Sequence, residues 1–129
     1  MTTETQMGAG RELDLLIGTE VFGLVQCTNT RAHPSDNPYS NRYCLAEPES
    51  PTDGGEVQMF STSYEGMGLV LERMRALGWT YDVDATDGVP LVTWGRPGPH
   101  RPIRADAPTL PHAVALAALE AVRATKEAL

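Results

Sequence analysis

The chain has 129 residues, a formal charge of −7 and 41% hydrophobic residues, a composition typical of a single folded globular domain. The excess of acidic residues excludes broad electrostatic binding to nucleic acid or anionic lipid. No apolar run approaches the roughly 18 residues that span a bilayer, and the first residues do not resemble a signal peptide. We therefore expect one domain, residues 1–129, in the cytoplasm and without a membrane partner.

The first part of the chain predicts a short helix and a strand. A loose, Gly-rich arm over residues 1–10 precedes apolar residues at i, i+3 and i+4. This spacing, ended by Gly18, predicts a helix over about 10–18. The β-rich segment Val21–Cys27 that follows predicts a strand with a bulge at Gly23.

A long segment over residues 28–56 is rich in proline, asparagine and serine and predicts an irregular loop. Such loops are uncommon in compact domains and are often functional. A short strand is expected within YSNRYCL, residues 39–45, and another over Val57–Phe60.

The hydroxyl-rich run Ser61–Ser63 stands directly before an apolar run at helical spacing that ends near Gly78. Thr62 and Glu65 fit a capping box, in which each side chain accepts from the other residue's amide. The alternative is a phosphate site at the helix N-terminus, but Glu65 would repel a phosphate there. The sequence therefore predicts a helix that is capped by Thr62 and ends before Gly78.

The second half predicts a hairpin and a final helix. Residues 79–86 alternate between apolar and polar, Asp87-Gly88 is a strong turn signal, and residues 89–94 return as a second strand. A proline-rich connector then leads to an apolar helix over 111–129.

One segment of the connector, RPGPHRPIR, is a candidate anion-binding site in an otherwise acidic chain. Arginine forks suit phosphate and carboxylate groups, and prolines lower the entropic cost of presenting them. Tyr43 and Trp94 could supply a stacking surface for a nucleotide base. The candidate ligand-binding residues are Arg96, His100, Arg101, Arg104, Tyr43 and Trp94. The alternative is a solvated connector whose arginines pair with the protein's own acids.

Metal and nucleophile chemistry is predicted only weakly. Cys27, His33, Cys44 and His100 lack the closely spaced ligand pairs of a zinc site. The acidic run DVDATDG does not have the spacing of a calcium loop. We therefore expect no metal and no cofactor. A small hydrolase or metal enzyme that uses Cys44, His33 or His100 stays an alternative.

Three blocks of the sequence resemble the signature blocks of the phage ABA sandwich domain family. They are RELDLLIGTEVFG near the start, FSTSYEGMGLVLERMRALGW in the middle and APTLPHAVALAALEAV at the end. The resemblance implies an α+β layered sandwich, in which three helices pack on a small antiparallel sheet. It also implies a phage or prophage protein, and hence the host cell cytoplasm. It brings no catalytic residue.

Together these observations predict a non-enzymatic binding module that sequesters a small anionic ligand, such as a nucleotide, or contacts a host protein. A structural or assembly protein that works only through protein contacts is a further alternative. The final helix is apolar on several sides, including Leu116 and Leu119, so we also expect a homodimer with this helix at the contact.

Overall fold

The computed structural model describes residues 8–26, 44–49, 55–84, 88–98 and 101–127. The helices are α1 (Arg11–Leu16), which continues into a π-helical turn (Ile17–Val21), α2 (Tyr64–Ala76) and α3 (Leu110–Glu127). The strands are β1 (Val25–Gln26), β2 (Cys44–Ala46), β3 (Gly55–Glu56), β4 (Thr80–Asp84), β5 (Leu91–Gly95) and β6 (Ile103–Asp106).

The predicted α+β class is confirmed: three helices pack against an antiparallel sheet of strand order β4-β5-β6. A second, smaller antiparallel sheet has the order β1-β2-β3. It lies beside the π turn, where Gly18 lets Leu45 of β2 approach the helix backbone closely. The two sheets therefore stand on separate parts of the helical layer.

Helix α3 is the centre of the core. It contacts β5 and β6 on one side and α1, α2 and the π turn on the others. A helix enclosed in this way needs apolar residues around its whole circumference. Leu116 and Leu119, 3% and 2% exposed, are therefore interior residues of one chain. The apolar surface from which we predicted a subunit contact thus belongs to the core of the chain, and the homodimer stays a prediction.

Two arginines, one from α2 and one from α3, bind the end of the π turn. Arg73 of α2 donates from Nε to the carbonyl of Val21 at 3.0 Å. Arg123 of α3 donates two 2.8 Å hydrogen bonds to the Glu20 carboxylate. Bidentate pairs of this kind fix orientation as well as distance. The position of α1 relative to α2 is therefore set at its C-terminal end.

Two predicted strands differ from the observed ones in position or length: the first strand of the chain and the strand before α2. The helix runs on as a π turn to Val21, so the strand predicted over Val21–Cys27 shrinks to β1. The strand predicted over Val57–Phe60 is displaced to β3. In both places tertiary contacts, including the stacked rings of Phe22 and Phe60 at 4.9 Å, override local β propensity.

The hairpin β4–β5 is confirmed, with Tyr81 paired to Trp94 and Val83 to Val92. A third strand, β6, lies within the segment that the sequence predicted to be an irregular connector. Prolines on both sides hid this strand, because proline weakens a strand prediction. The signal that remains is the alternation of Ile103 and Ala105, which lie towards the core, with the exposed Arg104 and Asp106.

Helix α2 has the predicted core face, with Val70 and Met74 fully buried. Its N-cap, however, is Ser63 and not Thr62. The Ser63 hydroxyl accepts a 3.0 Å hydrogen bond from the Gly66 amide. With Ser63 as the cap, the third helical residue is Gly66, whereas a capping box has a glutamate or glutamine there. The predicted Thr62–Glu65 capping box is therefore wrong by one residue.

Replacing Ser63 with alanine should lower the free energy of unfolding by about 1 kcal/mol, because the Gly66 amide loses its acceptor. Thr62→Ala, on an exposed neighbour with the same hydroxyl, is the matched control and should change stability by less than about 0.5 kcal/mol. Urea unfolding of both variants measures the two effects. The reverse order, with the larger loss at Thr62, would restore the original cap assignment.

Candidate ligand-binding site

A cavity of about 530 Å³ lies where the N-terminal ends of α1 and α2 meet. We call it the helix-junction cavity. Its walls come from the start of α1, the segment before α2 and the first turn of α2. The lining residues are Gly10, Arg11, Asp14, Val57, Gln58, Met59, Thr62, Ser63, Glu65 and Gly66. Its volume is within the range of small-molecule sites, roughly 300–1,000 Å³.

The wall between the two helices is built on a buried pair, Asp14 and Ser61. Oδ1 of Asp14 accepts a 2.7 Å hydrogen bond from the Ser61 hydroxyl and a 2.8 Å bond from the Ser61 amide. The same hydroxyl accepts from the Gly10 amide at 2.9 Å, so it also caps the start of α1. Both side chains are buried. This network joins the N-terminus of α1 to the segment that enters α2.

Burial raises the pKa of the Asp14 carboxyl above its usual value, and the hydrogen bonds from Ser61 and the nearby charge of Arg11 lower it only in part. The hydrogen bonds from Ser61 stabilise the charged carboxylate, but they only partly offset the free energy of removing it from water. Because its Oδ1 accepts both hydrogen bonds from Ser61, Asp14 is a structural member of the wall.

The opposite wall requires a glycine at position 66. A Cβ atom there would overlap the carbonyl oxygen of Met59 and come within 2.6 Å of its carbonyl carbon and 2.8 Å of the Phe60 Cα. The first turn of α2 thus packs directly on the backbone of the preceding segment. Close backbone contact at Gly66 and the Asp14–Ser61 network together give the cavity a preformed shape.

Two polar side chains on the cavity wall are exposed, Thr62 and Glu65. Within the part of the chain that the structure describes, neither side chain forms a hydrogen bond or an ion pair. Arg11 supplies a positive charge on the α1 side, near Asp14. The cavity wall therefore carries charges of both signs and a hydroxyl group.

The structure places the arginines of the predicted anion site in different surroundings. The Arg96 guanidinium lies 5.7 Å from the ring centroid of buried Trp79. Arg104 is exposed in β6, where it pairs with Thr93 of β5. Arg101 is exposed in the segment before β6. That these arginines bind one anion stays a prediction.

Trp94 does not provide the stacking surface that was predicted for it, because the side chain is fully buried against α3 and packs edge-on to Tyr81 at 5.4 Å. Its indole Nε1 has no hydrogen-bond partner among the described residues. The other two predicted site residues, Tyr43 and His100, lie outside the described residues.

The metal and nucleophile predictions fall largely outside the described ranges as well. Cys27, His33 and His100 are not described, and neither is the side chain of Cys44. In the ranges that are described, no three His, Cys, Asp or Glu side chains are grouped so that they could hold a metal ion. None of the helices in these ranges is long and apolar enough to cross a bilayer.

Two features of the sequence point to the helix-junction cavity. Asp14 interrupts an apolar helix face at the position three before Ile17, where a carboxylate needs a buried partner. Ser61 is one of three consecutive hydroxyl residues, more than one helix cap requires. Only the tertiary structure shows that these two residues bind each other.

The fold is similar to that of a phage protein from Bacillus cereus ATCC 14579, known from a 2.0 Å crystal structure. The TM-score is 0.64 at 20% sequence identity, over 91% of this chain and 89% of the other. At this identity the similarity establishes a shared fold. No protein-family model matches the sequence, and no curated protein matches it either.

Proposed function

We propose that this protein is a small phage-type accessory protein that binds a ligand without transforming it, and that the helix-junction cavity is its ligand site. The observation that carries the proposal is a preformed cavity whose walls present Thr62 and Glu65, two exposed side chains that bond to none of the residues the structure describes. A preformed site binds with little ordering cost, which suits sequestration of a small molecule. The phage setting rests on the sequence resemblance and on the fold shared with a phage protein.

In a host cell, such a protein would lower the free concentration of a small molecule, for example a signal in host defence. A second candidate ligand is a nucleotide or another anion held by the segment RPGPHRPIR, in which Arg101 and Arg104 are exposed. The Arg96 guanidinium of that segment lies over the ring of Trp79, which favours the cavity over this segment.

Binding should be testable with the purified chain and a panel of nucleotides, free amino acids and short peptides. The complex is isolated by rapid gel filtration, the ligand is released by heat, and the recovered molecule is identified by mass spectrometry. We expect a panel member to be recovered chemically intact. Recovery of an altered molecule would support an enzyme, and the absence of any bound panel member would contradict the proposal.

Two variants locate the site. Thr62→Trp places a large ring at the exposed cavity wall and should abolish binding without unfolding the chain, because the Thr62 side chain is exposed. The pair Arg101→Ala and Arg104→Ala removes both exposed arginines of the second candidate and should leave binding unchanged. The opposite result, loss only in the arginine variant, would move the site to that segment.

A further inference from the structure

We propose that the outer edge of strand β4 is a docking site for an extended segment of another protein, in which basic residues alternate with apolar ones. The segment would pair with β4 as a fourth strand of the sheet β4-β5-β6. No residue of β4 lines the helix-junction cavity, so this surface goes beyond the proposed function. Three properties of β4 support the docking site: its uncovered apolar side chains, its open edge and its charge.

The helix-facing side of β4 is apolar, but no helix covers it. Tyr81 and Val83 are 45% and 38% exposed, whereas the residues paired with them in β5, Trp94 and Val92, are fully buried. Directly opposite residues of an antiparallel pair lie on the same face, so all four side chains are on the helix side of the sheet. Helix α3 contacts β5 and β6, while β4 contacts mainly β5. The apolar face of the sheet therefore extends beyond the helix that packs on it.

The outer edge of β4 is open for hydrogen bonding. Within the described part of the chain, β4 pairs only with β5, in a continuous register over its whole length. All five residues of Thr80–Asp84 are exposed. Proteins commonly protect an edge strand with a proline, a bulge or a covering element, and none of these is present in β4. The backbone donors and acceptors of this edge can therefore pair with an added strand.

The charge of β4 favours a basic partner over a second copy of this chain. Asp82 is exposed on the face opposite to Tyr81 and Val83, and it bonds to none of the residues the structure describes. If two copies paired through all five residues of β4, Asp82 would lie directly opposite Asp82, and such like-charge pairs are destabilising. The net charge of −7 also repels a second copy and attracts a basic segment.

These properties define three successive residues of the partner strand. The central residue is an arginine or lysine, which forms a favourable cross-strand pair with Asp82. The residues on both sides of it are apolar, because they lie opposite Tyr81 and Val83 and cover them. A segment with this pattern has one apolar and one basic face when it is extended.

The test uses a capped seven-residue peptide in which arginine and valine alternate, and isothermal titration calorimetry measures its binding to the full chain at physiological ionic strength. One control peptide has the same composition in two blocks, so it keeps the charge but cannot place valine on one face only. The other has glutamate in place of each arginine. We expect the alternating arginine peptide to bind at least about tenfold more tightly than either control, since it alone forms every cross-strand pair.

Two variants with the same change in net charge locate the binding strand. Asp82→Arg should shift the preference between the arginine and glutamate peptides by at least about tenfold towards glutamate, because it reverses the charge that faces the peptide. Asp106→Arg is the matched control on β6, the other edge strand, whose Ala105 is already buried. It should shift the preference by less than about threefold, since solvent screens a charge that is not in contact. Circular dichroism confirms that both variants are folded.

Amide hydrogen exchange distinguishes strand addition from loose electrostatic binding. The bound arginine peptide should slow exchange in β4 and leave exchange in β6 unchanged, because the new ladder forms only at the β4 edge. Protection of β6 alone, or of neither strand, would contradict the proposed docking site.

The remaining outcomes are equally decisive. Equal binding of the alternating and block peptides, equal shifts in the two variants, or no binding of the alternating peptide would overturn the inference. A dimer of the unliganded chain that Val83→Lys dissociates, measured by light scattering, would identify a second copy as the occupant and would also overturn it. Thr62→Trp should leave peptide binding unchanged, because Thr62 lines the cavity and not β4. Failure of the peptide therefore leaves the proposed function of the cavity in place.

Discussion

Replacing Gly66 with alanine is expected to destabilise the fold by about 3 kcal/mol, the upper end of the usual cost of overpacking. The new Cβ would overlap the carbonyl oxygen of Met59 and approach the Cα of Phe60 to 2.8 Å. Both obstacles are backbone atoms, so no rotamer change can relieve the overlap. The first turn of α2 must instead move away from the segment that carries Ser61, and ligand binding in the cavity should weaken with it.

Gly68→Ala is the matched control, because it makes the same chemical change two residues further along the same helix. No atom lies within 4 Å of a Cβ at position 68, so the substitution meets open space. Alanine should then stabilise the protein by about 0.5–1 kcal/mol through its higher helix propensity. Guanidinium unfolding measures both variants. A similar effect at both positions would contradict the close backbone contact at Gly66.

Replacing Asp14 with alanine should lower the free energy of unfolding by about 3 kcal/mol. The amide and hydroxyl of Ser61 would lose their acceptor in a buried site, and each unsatisfied donor retains its full desolvation penalty. The link between α1 and the start of α2 would also be lost. Glu12→Ala, on an exposed acid of the same helix, should cost less than about 1 kcal/mol.

A double-mutant cycle with Ser61→Ala tests whether the two residues act as a pair. Once Ser61 has lost its hydroxyl, the loss at Asp14 should be smaller by at least about 0.5 kcal/mol, because residues in one network are not additive. Additive losses would show that Asp14 stabilises the fold by other contacts.

The pH dependence of stability gives a second measure of Asp14. Its pKa in the folded protein lies above the usual 3.8, so the folded chain binds this proton more tightly than the unfolded chain. The contribution of Asp14 to stability is therefore largest below 3.8 and declines as the pH rises through the raised pKa. Relative to Asp14→Asn, which does not titrate, the native protein should lose stability over this range. A constant difference would contradict the raised pKa.

Three consecutive hydroxyl residues illustrate how far sequence reasoning reaches. The run Ser61–Ser63 indicated a helix start, and α2 does begin there. The sequence did not show that the three hydroxyl residues have different roles, because these roles depend on contacts with residues that are distant in sequence. Ser61 bonds to Asp14, 47 positions away, while Thr62 lines the cavity and Ser63 caps α2.

The sequence alone determined the α+β class, the core face of α2 and the β4–β5 hairpin. These features follow from periodicity and turn chemistry, which act between residues that are near in sequence. Tertiary structure decided the rest, since burial and pairing depend on which elements meet. It enclosed Leu116 and Leu119 within one chain, turned a proline-bounded connector into β6, and placed the Arg96 guanidinium over the ring of Trp79. It also brought two helix N-termini together around Asp14 and Ser61, and so created the cavity.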